Sequence, residues 1–478
     1  MVENQGAPSN RGSSRANASV RSRALGQIPN TLQALNSLKT EERKLALAET
    51  VESFERGLVV RPQDTGWVNV LARTIFSYSV DNYSPSRLAW EAVVRGLSVI
   101  GCADRDNLGA LSEMLSAGDA LGVRATVSLE TKTFVQSYSD RDINYPGQPG
   151  FLRVLGVGFT KVPSLDSEHG RLIAQLPNRA RDRNLALAEK INSVLAPVCV
   201  SYEEDVLPLT PAGNATEDHL AAAYANKARA FFPEFHDLVV FWADVLGKSL
   251  GDVENLLGDY SAFMAAISEK LLRMGDTGEP PSSSDYPSVT EFFKAVKASG
   301  AIPCIYWRDG SSAGEANPDK LLDDALHWGA RAIALNPDRS WNIADPELKR
   351  VRQEAMDDLI RAARERHMPV LAGSPMNAPR QKFVDSFDAP EISAYFRDFT
   401  DSAFWLFGHT TLQRAVGMGV MSDWAKKAFH RDREKTNAFY LQAGKKAPPG
   451  KATRVRIANV GPECDPDDIL EALAPLKI

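Results

Sequence analysis

The chain has 478 residues, 44% of them hydrophobic, and a formal charge of −6. That length suits one large barrel with insertions or two to three smaller domains. The mild negative charge argues against a general nucleic-acid binder, and no run approaches the ~20 apolar residues that a membrane helix requires. Cys102, Cys199, Cys304 and Cys464 are far apart, with no CxxC pair and no hydrophobic signal core at the amino end. The expected setting is a reducing cytoplasm.

Residues 1–30, rich in Ser, Asn, Gly and Arg, read as a disordered arm. Leu32, Leu35, Leu38, Leu45 and Ala46 then suggest a helix or helix pair. Trp67 to Ala72 is a short apolar run suited to a buried strand, and Ser84-Pro85 starts a helix that closes at Gly96. A second strand, Leu97 to Ala103, ends in Asp104-Arg105-Asp106. Leu108 to Ala120 reads as a helix, Val123 to Leu129 as a strand ending at Glu130, and Leu152 to Val157 as a further strand.

Residues 165–297 break this rhythm and are helical by pattern, as an insertion growing from a barrel loop would be. Asn214 and Glu217 have capping-box spacing there, and His219 reads as structural. The alternation then resumes with strands Ala301–Trp307, Ala330–Leu335, Pro369–Gly373 and Ala403–Phe407. They end in Arg308-Asp309-Gly310, Asn336-Pro337-Asp338, Ser374-Pro375-Met376-Asn377 and Gly408-His409-Thr410. Helices follow the first two at Pro318–Trp328 and Pro346–Arg366. Polar clusters at successive strand tips are the pattern of a parallel β/α barrel, and an open doubly wound sheet would give it too. Residues 443–478 read as a basic linker, a short strand over Arg454–Val460 and a small helix.

The stretch RGLSVIGCADRDNLGALSEML resembles the polymerase-and-histidinol-phosphatase (PHP) superfamily. Members open with a His-x-His strand and follow it with a helix ending in Gly-Leu and a strand ending in Asp-His-Asp. GNATEDH at 213–219, DGSSAGE at 309–315, QKFVDSFDAPE at 381–391 and GHTTLQR at 408–414 resemble a subgroup of it. The resemblance implies an α/β fold, a distorted (β/α)7 TIM-like barrel with a helical insertion. The expected division is an arm at 1–30, barrel at 31–164, insertion at 165–297, barrel at 298–442 and an extension at 443–478.

The same resemblance implies a phosphoesterase using zinc, manganese or magnesium, because clustered dications polarise a phosphoryl oxygen and generate hydroxide. Here the His-x-His positions fall on Leu71 and Arg73, and the later Asp-x-His element reads Pro375 and Asn377. Leucine and proline side chains cannot bind a metal, and Arg73 and Arg105 are permanently protonated. The resemblance therefore implies metal binding that is reduced or absent. Asp104, Asp106, Glu130 and Asp309 are the ligands if a metal binds. Arg73, Arg105 and His409 are the candidate catalytic or anion-contacting groups, with Asn336, Asp338, Asn377 and Glu315 around the pocket.

A non-catalytic scaffold using the same pocket or the inserted helices is one alternative, and three readings of the pocket itself stay open. The arginines neutralise the carboxylates in a pseudo-active site, or an arginine is left to bind a phosphate or carboxylate by its fork, or an atypical metal site survives. The expected partner is a small anionic ligand such as a phosphate ester, with no nucleic acid and no membrane; a homo-oligomer is left open.

Overall fold

The computed structural model describes residues 30–78, 83–273, 282–377, 381–461 and 463–474. The arm expected at 1–30 lies, but for its last residue, outside them. Short runs rich in Val, Ile, Leu and Ala form seven strands of one sheet. They are β1 (Val68–Ala72), β2 (Val99–Arg105), β3 (Arg124–Phe134), β4 (Phe151–Val157), β5 (Ile302–Tyr306), β6 (Ala332–Leu335) and β7 (Val370–Ala372), hydrogen-bonded in chain order. Every residue of β1, β5, β6 and β7 is buried. Helices cover the outside, as buried parallel strands require.

The sheet curls until β1 reaches β7. Arg73 N–H donates to Pro375 O at 3.1 Å. The fully buried Asn69 side chain donates to Ser374 O at 3.0 Å and Phe383 O at 2.8 Å. The result is a nearly closed seven-stranded barrel. It is not wholly parallel: β1–β3 and β5–β7 pair in parallel, but β4 runs antiparallel to both β3 and β5. The loop from β3 to β4 needs no crossover helix, so the return strand can simply reverse.

Between β4 and β5 the described chain is helical, with long helices at Glu168–Leu195, Glu217–Phe231 and Phe235–Leu246 and shorter ones at Leu250–Gly258 and Tyr260–Ile267. Ile191, Tyr224, Trp242 and Phe263 centre an apolar cluster of its own here. The Glu217–Phe231 helix is capped by Thr216, not Asn214. His219 takes the place expected for Glu217, its Nδ1 accepting from Thr216 N–H at 3.1 Å.

Two expected strands are helices. Ala403–Phe407 lies inside the Phe396–Val416 helix, and Arg454–Val460 overlaps the Lys451–Ala458 helix. The first error has a plain cause: five apolar residues carry too little periodicity to separate a strand from a helix buried on several sides. That helix is sandwiched between the barrel and the Arg433–Lys446 helix, where Gly408 and Gly444 let the backbones touch; a Cβ on Gly444 would lie 1.8 Å from Phe404 O. The carboxyl-terminal segment docks by charge. Arg454 grips Asp119 with two hydrogen bonds of 2.6 and 2.7 Å, and Arg414 reaches the same carboxylate at 2.9 Å. Among the described residues no helix is long and apolar enough to cross a membrane.

Candidate functional site

The carboxyl ends of the parallel strands surround one mouth. Because β4 is reversed, it contributes its amino-terminal half, and Arg153 faces Lys132 across the β3–β4 ladder. Three guanidinium groups from three strands or their tips converge on one carboxylate. Arg73 Nη2 donates to Glu130 Oε1 at 2.8 Å, and Arg105 Nε and Arg153 Nε each lie 3.7 Å from the same oxygen. Asp218, 3.7 Å from Arg73 Nη1, and Glu217, 4.0 Å from Arg105 Nη1, approach from the helical segment. Burial alone would push the Glu130 carboxyl up, but the fields of Arg73, Arg153 and Arg105 override it and hold the group at about 2. Arg73 is fully buried, and its Nε and Nη1 have no hydrogen-bond partner; the same is true of the Nε atoms of Arg105 and Arg153.

Above this cluster opens a cavity of about 520 Å³, roofed by the helices between β4 and β5. A volume of that size is ordinary for a small-molecule site. Its charged lining among the described residues is Arg105, Lys132, Arg153, Arg183, Arg308 and Arg339 against Asp106, Glu217, Asp218 and Glu269, a cationic balance. Arg153 lies over the Tyr306 ring at 4.7 Å. Lys132 Nζ donates to Gln148 Oε1 at 2.6 Å and sits 4.5–5.1 Å from the rings of Tyr145, Tyr286 and Phe151. Burial, with Arg105 and Arg183 nearby, brings Lys132 down to about 8. Asn336 lines the cavity with only 1% of its surface exposed, and neither amide atom has a partner.

The expected site residues divide into two groups. Arg105, Asp106, Asn336 and Asn377 line the cavity, and Arg73 and Glu130 belong to the ion cluster at its floor. The others are engaged elsewhere. Asp104 is filled by the loop after β1: Thr74 N–H and Ser77 Oγ donate to Oδ1 at 2.9 and 2.6 Å, and Thr74 Oγ1 donates to Oδ2 at 2.7 Å. Asp309 is shared by Arg308, Arg339 and Arg352 at 3.5–3.7 Å. Glu315 accepts the backbone N–H groups of Arg308, Asp309 and Gly310 at 2.6, 3.2 and 3.0 Å, so it shapes the loop after β5. Asp338 accepts from Asn342 within its own turn at 2.9 Å.

His409 is not at a strand tip. It is fully buried in the Phe396–Val416 helix. Its Nδ1 accepts from Val420 N–H at 3.0 Å, which leaves Nε2 to donate to Gly158 O at 3.1 Å. Gly158 has a φ of +77°, and a Cβ there would meet the imidazole at 2.4 Å, so glycine is needed both for the turn and for the approach. Burial brings His409 down to about 4. With both ring nitrogens held by backbone, this histidine braces β4 against the helix.

The donor set does not suit a divalent ion. Asp106 is taken by Arg183 Nη2 at 3.2 Å and by Thr131 Oγ1, and Glu130 by the guanidinium cluster. Among the described residues no three carboxylate, histidine or cysteine side chains come together as metal ligands. Guanidinium groups supply neither lone pairs nor negative charge, and two or more carboxylates or imidazoles per ion are the usual requirement. The residues that a strand-tip reading misses are Lys132, Arg153, Arg183 and Arg339. For two of them a signal was there: FLRVLGV and SLETKTF each carry a lone cation inside a run otherwise destined for a buried strand.

No family model matches the chain, and no curated protein matches it by sequence. Among solved structures, it is similar to one from Bifidobacterium adolescentis, provisionally described as a metal-dependent phosphoesterase. The identity is 17% and the TM-score 0.44, over 70% of this chain and 97% of the other. It is also similar to an amidohydrolase from Chromobacterium violaceum with bound sulfate and no metal. There the identity is 13% and the TM-score 0.42, over 66% of this chain and 88% of the other.

Proposed function

We propose that this chain is a PHP-like barrel whose mouth holds a small anion, a phosphate ester or a carboxylate, and in which metal-dependent hydrolysis is impaired or lost. The observation that carries this reading is the set of three guanidinium groups, Arg73, Arg105 and Arg153, gathered on the single carboxylate oxygen Glu130 Oε1. A structural ion pair needs one arginine. Here three gather on one carboxylate oxygen, with N–H groups left without hydrogen bonds, at the floor of a cavity whose lining is cationic on balance. Buried donors left without acceptors cost about 1–3 kcal/mol each, and more for charged groups, so an anion that accepts from them is bound favourably. Asn336 adds a neutral donor and acceptor for the rest of the ligand.

The test is made on the full chain. Elemental analysis is expected to find no stoichiometric metal, and p-nitrophenyl phosphate with added manganese is expected to give no turnover. Inorganic phosphate is expected to raise the melting temperature relative to chloride at matched ionic strength, with the mouth's share of the shift lost in the Arg105→Gln, Arg153→Gln double variant. Stoichiometric metal together with turnover that disappears in Asp104→Ala would overturn the proposal and favour a working phosphoesterase with an atypical metal site.

A further inference from the structure

The other end of the barrel carries a second cationic pocket, unconnected with the mouth. Arg331 immediately precedes β6, whereas Asn336 immediately follows it, so the two lie a strand's length apart on opposite ends. Arg331, Lys426, Arg431 and Arg433 line a cavity of about 100 Å³ together with Trp405, and no carboxylate lines it among the described residues. Lys426 is committed to Asp423 at 2.6 Å. Among the described residues, two of the arginines hydrogen-bond to backbone: Arg331 Nη1 donates to Ala330 O at 3.0 Å and Arg433 Nη1 to Arg366 O at 2.7 Å. Trp405 is 2% exposed, and its indole Nε1–H has no partner.

We propose that this basal pocket is an oxyanion site, built by Arg331, Arg431, Arg433 and the Trp405 indole N–H, that takes a phosphate group. Arg331, Arg431, Arg433 and the indole offer only donors, the charged lining is positive throughout among the described residues, and the volume admits a tetrahedral oxyanion. An acceptor-rich dianion answers all three conditions at once. Arg331 and Arg433 also repel one another: burial pushes both below the usual guanidinium range, and Arg331 lowers Arg433 further. Asp432, between Arg431 and Arg433 in sequence, is turned to its own helix, accepting from Lys435 N–H at 3.0 Å. The phosphate could be free or borne on a larger molecule, since only the group enters.

The experiment follows the indole N–H resonance of Trp405 in the ¹⁵N-labelled full chain, assigned with Trp405→Phe. Inorganic phosphate is titrated in one arm and O-phosphoserine in the other, against chloride at equal ionic strength. The resonance is expected to move saturably. Tighter binding of phosphoserine identifies an ester-borne phosphate, and equal binding a free anion. Arg433→Gln is expected to weaken the apparent affinity roughly tenfold or more, as loss of a charge-assisted contact does. The Arg105→Gln, Arg153→Gln mouth variant is expected to leave this titration unchanged, which separates the two sites. A Trp405 resonance that stays fixed through saturating phosphate in the otherwise unaltered protein would overturn the site, whatever the variants do.

Discussion

Glu130 holds the charge balance of the barrel mouth. Replacing it with glutamine removes the one carboxylate that all three guanidinium groups share. Stripping the partner from a buried ion pair costs about 3–5 kcal/mol, because the remaining charge stays desolvated. Glu130→Gln is therefore expected to melt well below the wild type, and phosphate is expected to stabilise the variant more than the wild type. Chemical denaturation with and without phosphate checks both. His409 makes a different prediction. Its folded value of about 4 lies below the ordinary 6.5, so above pH 6.5 neither state is charged and nothing is lost. As the pH falls from 6.5 toward 4 the unfolded chain takes up the proton and the folded one does not, so stability is lost at about 1.4 kcal/mol per pH unit. His219, also brought down to about 4 by burial, adds the same sign. Glu315, pushed up to about 7 by burial, contributes the opposite one. The bare pH profile mixes these, so the comparison is with His409→Gln: the stability gap between wild type and variant is expected to narrow as the pH falls through this window.

The Phe396–Val416 helix explains why an element of the right composition can be misread. Ala403, Trp405, Leu406 and Phe407 are all buried because the helix has neighbours on both sides, which erases the amphipathic stripe that marks a surface helix. Its partner, the Arg433–Lys446 helix, comes close only because both contact positions lack a Cβ. Helix propensity alone would favour alanine over glycine by about 1 kcal/mol. Contact with backbone carbonyl oxygen, which cannot move aside, costs more than the usual 1–3 kcal/mol or so of overpacking. Gly444→Ala is therefore expected to destabilise despite the propensity gain, and urea unfolding decides the sign. By contrast, Gly251 has nothing within 4 Å of a built Cβ, so the same substitution there is expected to be neutral or stabilising.

At the scale of the whole molecule, the barrel brings residues from β1 to β7 to one mouth, and the helices between β4 and β5 roof that mouth into a partly open cavity. A ligand stabilises a fold only if it binds the folded state, so micromolar manganese or zinc is expected to leave the melting temperature unchanged. A clear rise with either ion, measured by scanning calorimetry, would show that the carboxylates can be recruited from their arginines and would count against the proposed function.

Much of this was legible residue by residue. The strand-helix alternation, the helical segment after β4, and Arg105 and Glu130 as mouth residues follow from apolar run length, breaker residues and the strand-tip rule, all of which are local, while Arg73 comes from the resemblance to a His-x-His strand. Other features were not local. The reversal of β4 depends on which edge the chain returns to, and it alone carries Arg153 to the mouth. Asp104 and Asp309 looked like ligands, and Glu315 like a pocket residue, because a sequence records that a carboxylate is present, not which hydroxyl, guanidinium or backbone N–H has already claimed it. His409 looked like a site residue for the same reason. Sequence determined which groups ride on which strands; the tertiary structure decided their partners, because pairing depends on how the folded chain brings together groups that its linear order keeps apart, as with Arg73 and Glu130 or His409 and Gly158.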